Sequence, residues 1–574
     1  MSPGANPQLH QFFEEAFEAR IERSPQTLTT LGIRRRADEL DDYSDAARVA
    51  EHDLVATQLE ELERFDPALL CVEDRLSHEM FRYDAQALLD GFRFRHHGYL
   101  VNQKFGLHTD FPAFMINMHR VADVADARAY IARLGAFDRA CNQVIIELER
   151  REAVGMVPPA YLFPQMIGDC RAFVADGDPQ AVEGNPLYRD LADKLDRLGN
   201  LPTAERQALL QEAARALSES VLPAYRRLAA FLERQKPRAA GEAGAWALPD
   251  GDAWYRFCLA RETTTELSAD DIHELGLREV MRLQEEILGL RSGLGVDGSL
   301  ADLFEHAREN PDFYYPDSDA GRARYLAEMK ATVAAMEPRL PELFNRLPQD
   351  ELLIKPVEPH REKTAGLAFY QGPSTDGSRP GIFYLNLHDM RQLPTFATEA
   401  LAYHEALPGH HMQFAIANRL HHLPSFRRYA WYNAYIEGWG LYSELIPREM
   451  GLYQDPWSDF GRLVQELKRA CRLVVDTGIH ARRWTRQQAI DYLYCNTPSS
   501  TGQVINEVDR YLVMPGQATT YTVGMAEILR LRRRLREAMG ERFDLRRFHD
   551  ELLRHGALPL TLLERQMNAW AQNG

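Results

Sequence analysis

The amino-acid sequence, 574 residues long, predicts a mainly α fold, and three observations lead to this class. Apolar residues recur at helical spacing over several long stretches, namely 9–22, 40–62, 122–152, 204–233 and 301–336. The segment 268–271 (Ser-Ala-Asp-Asp) has the composition of a helix N-terminus, and the apolar residues after it return on one helix face as far as Ile287. Only the region of about 351–388 breaks this pattern, with short β-prone runs.

The length predicts more than one structural unit, because single hydrophobic cores stop growing at about 250–300 residues. Residues 236–244 (Lys-Pro-Arg-Ala-Ala-Gly-Glu-Ala-Gly) have the composition of a linker. We therefore predict an N-terminal helical half over 1–235, a linker over 236–250, and a second helical half over 251–574 that carries the functional site.

The β-prone region predicts a small sheet. Its three runs are 352–354, 366–370 and 382–387. Sheets of this kind can bind an extended peptide along an open edge. One interpretation is that Phe383–Leu387 is such an edge, with Phe383 and Tyr384 contacting the substrate. The alternative is a strand with a purely structural role.

The most informative motif is the run 404–411, His-Glu-Ala-Leu-Pro-Gly-His-His. In the signature His-Glu-x-x-His, two imidazoles on one helix bind zinc and the Glu is the general base of a metalloprotease. Here the second histidine is displaced by two positions, and Pro-Gly occupies the insertion. The motif indicates a metal site with altered helix geometry. The alternative is a helix C-terminus followed by exposed polar histidines.

Helix geometry shows what the insertion must do. His404 and His410 are six residues apart, about 240° of rotation on an undisturbed helix, so they would face nearly opposite sides. In the pair 408–409, proline interrupts a helix because it lacks an N–H, and glycine tolerates the dihedral angles that the interruption needs. We predict a helix that ends near Leu407 and a new one that brings His410 beside His404. His411 is the alternative ligand.

A carboxylate in an apolar setting is the candidate for a third ligand. Residues 426–445 predict an aromatic-rich helix with Ser425 as its N-cap. Glu437 lies among apolar neighbours on this helix, and a buried charge needs a partner. That partner is either a metal ion or one of the arginines 427 and 428. Two histidines and one glutamate would leave a metal position open, which is typical of catalytic zinc sites.

Several separated motifs, in order along the chain, resemble one family: 263–264 with 272–276, 379–384, 404–410, 437–444, 507–511 and 515–521. The chain is similar to the bacterial DUF885 family, whose members are of unknown function, are often described as lipoproteins and are related to zinc metallopeptidases of the gluzincin type. The resemblance covers most of the chain and is densest after about residue 250. It implies a large helical metallopeptidase fold of the gluzincin and oligopeptidase kind. A small sheet would lie beside the metal-binding helices, and the N-terminal half would form one wall of a deep cleft.

The last two motifs add two candidate residues. Related gluzincin peptidases use a tyrosine from a late helix to stabilise the oxyanion, and the resemblance implies this role for Tyr521. An ordinary buried tyrosine is the alternative. Arg510 is a candidate for binding a substrate carboxylate, as carboxypeptidase or dipeptidyl carboxypeptidase specificity would require. A structural ion pair with Glu507 or Asp509 is the alternative for Arg510.

Together these residues predict zinc-dependent hydrolysis of peptide bonds in short oligopeptides, with carboxypeptidase or dipeptidyl carboxypeptidase action as one form of it. His404, His410 and Glu437 would hold Zn²⁺, and Glu405 would act first as general base and then as general acid. Two alternatives stay open. One is a non-haem iron enzyme, which also uses two histidines and one carboxylate, and the other is a non-catalytic peptide-binding protein with a decayed site.

Composition narrows the partners and the compartment. The formal net charge of −17 argues against nucleic-acid binding, which needs a basic face. No apolar stretch approaches the ~20 residues of a membrane span, and residues 1–7 lack the basic and apolar regions of a signal peptide. We therefore expect short peptides as partners and a cytoplasmic location, or a periplasmic or secreted one if a leader has been removed.

Overall fold

The computed structural model describes residues 4–175, 181–239, 241, 244–358, 362, 366–373 and 379–573. Helices account for 71% of the chain and strands for 3%, which confirms the mainly α class with a small sheet. The elements in chain order are α1 Pro7–Ile21, α2 Pro25–Thr30, α3 Asp45–Leu62, α4 Val72–Gly91, α5 Leu107–Asn117, α6 Val124–Ala153, α7 Phe163–Val174, α8 Pro186–Asp196, α9 Thr203–Ala216, α10 Leu222–Gln235, α11 Gly251–Thr263, α12 Ala269–Leu294, α13 Leu300–Glu309, α14 Asp319–Met336, β1 Leu352–Pro356, β2 Ala368–Gln371, β3 Gly381–Leu385, α15 Thr398–Glu405, α16 His410–Asn418, α17 Ser425–Arg428, α18 Asn433–Glu449, α19 Pro456–His480, α20 Arg486–Asn496, α21 Thr501–Val513, α22 Thr520–Met539, α23 Leu545–Leu553 and α24 Leu560–Asn573. None of these helices is long and apolar enough to cross a membrane.

The predicted helices are confirmed, with breaks where proline intervenes. The helix predicted after 268 is α12: the Ser268 hydroxyl accepts a hydrogen bond from the Asp271 amide, and the Asp271 carboxylate accepts one from the Ser268 amide. The predicted run 301–336 forms two helices, α13 and α14. Pro311 and Pro316 lie between them, and proline cannot continue a helix.

The helix predicted over 426–445 is wrong at its N-terminal end. The short α17 includes Ser425 instead of following it as a cap, and α18 begins only at Asn433. Arg427 of α17 is buried and donates a hydrogen bond of 2.6 Å to Glu73 of α4. This contact joins α17 to the N-terminal region, and residues 429–432 separate α17 from α18.

β3 is the central strand of the sheet, whose strand order is β1–β3–β2. β1 pairs with it in parallel, with Leu352 opposite Gly381, and β2 pairs with it antiparallel, with Tyr370 opposite Phe383. The three predicted runs are therefore confirmed as strands. The prediction that Phe383–Leu387 is an open edge is wrong, because β3 is paired with a strand on each side and has no free edge for a peptide.

The two largest hydrophobic cores of the described residues both cross the predicted boundary. The first surrounds the sheet and includes residues of α11, α14, α15, α18 and α22, together with Leu76 and Met80 of α4. The second consists of residues from the N-terminal region, with Val513 of α21 packed among them. Each core therefore contains residues from both of the predicted halves.

The predicted linker over 236–250 lies only partly within the described chain. Lys236–Arg238 and Ala245–Ala247 form short 3-10 turns. Residues 240, 242 and 243 lie outside the described residues. The division of the chain at this segment, and the cleft between the halves, stay predictions.

Close packing of α18 against α22 brings two candidate site residues together. A Cβ on Gly524 would lie 1.9 Å from the carbonyl oxygen of Ala434, and a Cβ on Gly438 would lie 2.5 Å from the backbone of Gly524. Because neither position has room for a side chain, the two backbones approach directly. Glu437 of α18 is consequently close enough for its charge to act on Tyr521 of α22.

Candidate metal centre

Three side chains from α15, α16 and α18 converge on one point. The Nε2 atom of His404 lies 3.5 Å from Oε2 of Glu437, and the Nε2 atom of His410 lies 3.6 Å from the same oxygen. One ligand atom of each residue lies within 4.8 Å of the others. These separations are too long for good hydrogen bonds. The two separations to Glu437 match the edges, about 3.3–3.6 Å, of a tetrahedron with the bond lengths of protein-bound zinc, so this donor set fits a zinc ion.

The two histidines meet because the helix breaks between them, as the Pro-Gly pair predicts. α15 ends at Glu405 and α16 begins at His410. Gly409 packs on the end of α15, where a Cβ would lie 1.9 Å from the carbonyl oxygen of His404. The indole of Trp439 in α18 donates to the two carbonyl oxygens of the break, at 3.1 and 3.2 Å. α18 therefore holds the break in the form that aligns both imidazoles.

His411 points to other partners. Its Nε2 atom lies 3.1 Å from the backbone carbonyl oxygen of Asp350, and its Nδ1 atom lies 2.9 Å from the hydroxyl of Tyr370 in β2. A carbonyl only accepts, so Nε2 donates and Nδ1 accepts from Tyr370. Burial lowers the pKa of His411 to about 4, which keeps the ring neutral. Both ring nitrogens are engaged, so the structure favours His410 as the ligand.

One face of α18 supplies three parts of the site. Glu437, Gly440 and Glu444 recur at intervals of three and four residues and therefore share that face. A Cβ on Gly440 would lie 2.8 Å from Cε1 of His404 and 3.0 Å from Cε1 of His410, so only glycine leaves room for both rings. Glu444 accepts a hydrogen bond from Nδ1 of His404 at 2.8 Å. This bond directs Nε2 towards Glu437, as carboxylate–histidine pairs do at metal sites.

Sequence reasoning missed the roles of Gly440 and Glu444. The signal was present in the spacing of 437, 440 and 444, but the partners of that face could not be inferred from it.

The electrostatics are consistent with a site for a cation. Burial disfavours the charged form of His404, but the nearby carboxylates of Glu437 and Glu444 outweigh it and raise the pKa of His404 to about 9.

Glu405 ends α15 directly after the first candidate ligand and is 8% exposed. Burial raises the pKa of Glu405, while the imidazoles of His404 and His410 oppose that rise. Its carboxylate makes no hydrogen bond within the described part of the chain. It is therefore available to a small molecule such as water.

Tyr521 lies beside the ligands on α22. Its ring stacks on that of His404, with centroids 6.4 Å apart and an interplanar angle of 25°. Burial and then the charge of Glu437 raise the pKa of Tyr521, so the phenol stays protonated at neutral pH. The guanidinium of Arg472 in α19 lies 4.6 Å from the Tyr521 ring centroid. The structure thus brings Tyr521 to the predicted ligands.

Arg510 is engaged by protein groups. It donates to Glu507 at 3.0 Å and also to Gln517. Glu507 accepts further hydrogen bonds from Arg472 at 2.9 Å and from the hydroxyl of Tyr511 at 2.7 Å. The ion pair with Glu507, the structural alternative for this arginine, is therefore present. Substrate binding by Arg510 stays a prediction.

Phe383 and Tyr384 lie in the central strand of the sheet. Phe383 is fully buried in the largest core. Tyr384 is 4% exposed, and its ring stacks on Phe369 of the neighbouring strand at 4.9 Å. Neither residue presents a free strand edge, so the structure gives them a packing role and leaves their predicted substrate contacts without support.

A second group of possible ligands in the described ranges is Asp45, His96 and Glu147. Its carboxylates already have cationic partners: Arg48 lies 2.6 Å from Glu147, and Arg95 lies 3.1 Å from Asp45. Neutralised carboxylates have little attraction for a metal ion. This group is therefore an ion-pair network.

Asp476 of α19 fixes the turn that leads into α22. It is fully buried, accepts a hydrogen bond from the Tyr255 hydroxyl at 2.7 Å, and accepts from the Gly516 amide at 3.1 and 3.2 Å. Burial raises the pKa of Asp476 to about 7. The ordinary value for an unfolded aspartate is about 3.9. Ionisation therefore opposes folding, and stability is lost as the pH rises from about 4 to about 7.

We expect Asp476→Asn to remove this loss, because the amide oxygen of Asn can accept the same hydrogen bonds without ionising. The free energy of unfolding of the variant, relative to that of the unchanged protein, should rise by about 2–3 kcal/mol between pH 5 and pH 7, since one pKa unit corresponds to about 1.4 kcal/mol. Denaturant unfolding at several pH values measures the difference. A constant difference across this range would show that Asp476 keeps an ordinary pKa.

The fold and the site together define a mainly helical protein with two histidines and a glutamate arranged as a candidate catalytic metal centre. The chain belongs to the DUF885 family, described as a bacterial protein of unknown function, whose model matches residues 25–567.

Two similar solved structures share the whole fold. One is "the putative lipoprotein from Colwellia psychrerythraea", with 31% identity, a TM-score of 0.93 and 99% of each chain covered. The other is "a putative lipoprotein of unknown function from Shewanella oneidensis", with 17% identity, a TM-score of 0.73, and 98% of this chain and 99% of that one covered. The second likeness concerns the fold alone. No curated protein sequence matches the chain.

Proposed function

We propose that this protein is a zinc-dependent hydrolase of peptide bonds in short oligopeptides. The observation that carries the proposal is the convergence of one ligand atom each from His404, His410 and Glu437 within 4.8 Å, with the Glu405 carboxylate in the next position along the chain. Two histidines and one carboxylate leave a coordination position open, which a catalytic site needs and a structural zinc site does not have.

Zinc bound by these three residues would supply a Lewis acid and lower the pKa of a water molecule to about 7. Glu444 prepares the chain for this ion, because its hydrogen bond to Nδ1 of His404 leaves Nε2 free to act as the ligand. Trp439 has the complementary task of holding the helix break, so that the ring of His410 is presented beside that of His404.

Glu405 is placed to move the proton. Its carboxylate would accept a proton from the attacking water and later deliver it to the leaving amine. Burial raises the pKa of Glu405, which makes it a better base than an exposed carboxylate and a competent acid afterwards. Because the Glu405 carboxylate has no hydrogen-bond partner among the described residues, both of its oxygens are available for these steps.

Tyr521 is placed to stabilise the negative charge that develops on the former carbonyl oxygen. A phenol hydroxyl held in a protein site donates a hydrogen bond to such an oxyanion without reorganising. The stacking of Tyr521 on His404 fixes its ring beside the ligands. Its raised pKa keeps the donor proton in place.

An aromatic wall beside the site supports a peptide substrate with apolar side chains. The ring of Phe414 lies 6.2 Å from that of His410, and Trp431 stacks on Phe414 at 5.5 Å. Trp431 is 59% exposed, so the wall reaches from the candidate ligands to solvent. Exposed aromatic surface of this kind is common in ligand-binding sites. The lipoprotein description of the Colwellia relative favours a periplasmic or secreted location over a cytoplasmic one.

Metal analysis of two alanine variants tests the function. We expect about one zinc ion per chain in the unchanged protein, loss of zinc and of peptide hydrolysis in His410→Ala, and retention of zinc in His411→Ala. The second variant loses two hydrogen bonds, and we expect a stability cost of about 1–3 kcal/mol for it. Mass spectrometry for metals and assays on an oligopeptide library measure both properties.

The other outcomes identify the alternatives. Iron in place of zinc would indicate a non-haem iron enzyme. A chain that binds peptides, contains no metal and releases no cleaved product would indicate a non-catalytic peptide-binding protein. Loss of zinc in His411→Ala alone would move the second ligand to His411.

A further inference from the structure

Two arginines of α19, Arg469 and Arg472, lie next to Tyr521, beyond the candidate metal ligands. Lys468 precedes them on the same stretch of helix, and its charge interacts with the charges of both arginines. The guanidinium carbon of Arg472 lies 4.6 Å from the Tyr521 ring centroid, and that of Arg469 lies 5.9 Å from it. The Tyr521 ring is itself 6.4 Å from that of His404. The ring of Tyr521 therefore lies between the two guanidinium groups and the candidate ligand His404.

The carboxylates near these cations are shared with other groups. Glu507 pairs with Arg472 at 2.9 Å, but it is shared with Arg510 at 3.0 Å. Glu444 lies 3.6 Å from Arg469, but its shorter contact is with His404. Within the residues that the structure describes, Lys468 has no ion pair and no hydrogen bond.

The positive charge of Lys468 is destabilised by its surroundings, and the group borders solvent. Burial, with the charges of Arg469 and Arg472, lowers the pKa of Lys468 to about 8. The side chains of Arg469 and Arg472 remain 11% and 14% exposed, so the group borders solvent-accessible space. Unpaired, partly desolvated ammonium groups are costly, and they become favourable when an anion binds.

We propose that Lys468, Arg469 and Arg472 bind the terminal carboxylate of the peptide substrate, so that the protein removes residues from the C-terminus of peptides. This inference rests on the proposed hydrolase function. It centres the carboxylate site on Lys468, which has no ion pair or hydrogen bond among the described residues. Arg510 is engaged by Glu507 and Gln517, and Arg472 keeps its contacts with Glu507 and Tyr511.

The spacing also limits the fragment that is released. An extended chain advances about 3.3–3.6 Å per residue. The two successive ring contacts that link His404 to Arg472 set an upper limit on the distance between them, and this limit equals the span of a few extended residues. The geometry therefore favours the release of a short C-terminal fragment over cleavage in the middle of a long chain.

Paired substrates test the proposal directly. A library of short peptides is prepared with each sequence as a free acid and as a C-terminal amide, and kcat/KM is measured for the unchanged protein, Lys468→Met and Lys236→Met. Lys236 is an exposed lysine at the end of α10 and serves as the matched control. We expect the unchanged protein and the control to prefer the free acids. We expect Lys468→Met to lose about 10- to 100-fold on the free acids, with the amides unaffected, since a hydrogen bond to a charged group contributes a factor of this size.

Equal cleavage of acids and amides by the unchanged protein would overturn the carboxylate site while leaving the hydrolase function intact. An equal loss on both substrates in Lys468→Met would also overturn it. No cleavage of either form, together with no bound zinc, would instead be a failure of the proposed function.

Thermal unfolding separates a binding role from a structural one. Methionine keeps the length of the lysine side chain and removes a charge that is repelled by its neighbours, so Lys468→Met is expected to unfold at a temperature equal to or above that of the unchanged protein. In a Glu405→Gln background, a free-acid peptide should raise the unfolding temperature, and this rise should disappear with Lys468→Met. A lowered unfolding temperature, or an unchanged response to peptide, would show that Lys468 has a structural role.

Discussion

Replacing Glu405 with glutamine is expected to abolish peptide hydrolysis while leaving bound zinc in place. Glutamine has nearly the shape of glutamate, but it cannot accept a proton from water. Removal of a general base lowers kcat by about 10²–10⁴-fold. The three candidate ligands are untouched, so the zinc content should match that of the unchanged protein. Steady-state kinetics and metal analysis of the same preparation measure both quantities.

Glu399→Gln is the matched control, because Glu399 lies on the same helix and faces elsewhere. Its carboxylate accepts hydrogen bonds from Ser458 at 2.6 Å and from the Tyr403 hydroxyl at 3.3 Å. We expect this variant to keep zinc and hydrolysis. Full hydrolysis by Glu405→Gln would remove Glu405 from the proton transfer, and loss of zinc there would give it a ligand role instead.

The second large effect is expected from a single methyl group at Gly440. In Gly440→Ala the added Cβ would lie 2.8 and 2.9 Å from Cε1 and Nε2 of His404, and 3.0 Å from Cε1 of His410. Both imidazoles must move, and the hydrogen bond between His404 and Glu444 opposes that movement. We expect the affinity for zinc to fall by about 10- to 100-fold, as for changes that misorient ligands. Zinc titration against a chelator measures the affinity.

Gly289→Ala provides the control for the helical substitution itself. Gly289 lies on α12, and a Cβ there would meet nothing within 4 Å. Alanine is favoured over glycine in helices by about 1 kcal/mol, so this variant should be slightly more stable and bind zinc normally. Unchanged zinc affinity in Gly440→Ala would mean that the two rings do not form the metal site.

The prediction of the helix break was local in origin, and it succeeded for that reason. Proline cannot continue a helix, and the run 404–411 therefore indicated where α15 must end and where a new helix could begin. The choice between His410 and His411 could not be made in the same way. It depended on Tyr370 and Asp350, which are distant in the sequence and hold His411 away from the other candidate ligands.

The structural predictions failed where a segment contacts residues that are distant in the sequence. Residues 426–445 have helical spacing throughout, but α17 ends at Arg428, α18 begins at Asn433, and Arg427 contacts Glu73 of the distant α4. The run that contains Phe383 was correctly predicted as a strand. The central position of this strand depends on its pairing with β1 and β2. The residues of the run alone therefore could not show that the strand lacks an open edge.

The sequence by itself determined the mainly α class, the three strands, the helix break after His404, and a candidate set of His404, Glu437 and one of the two histidines 410 and 411. These features follow from residue type and spacing over a few turns, where backbone geometry is decisive. Only the tertiary structure decided the order of the strands, the engagement of Arg510 by Glu507, and the room that Gly440 leaves for two imidazoles. Those depend on which distant side chains pack together, and no local pattern encodes that.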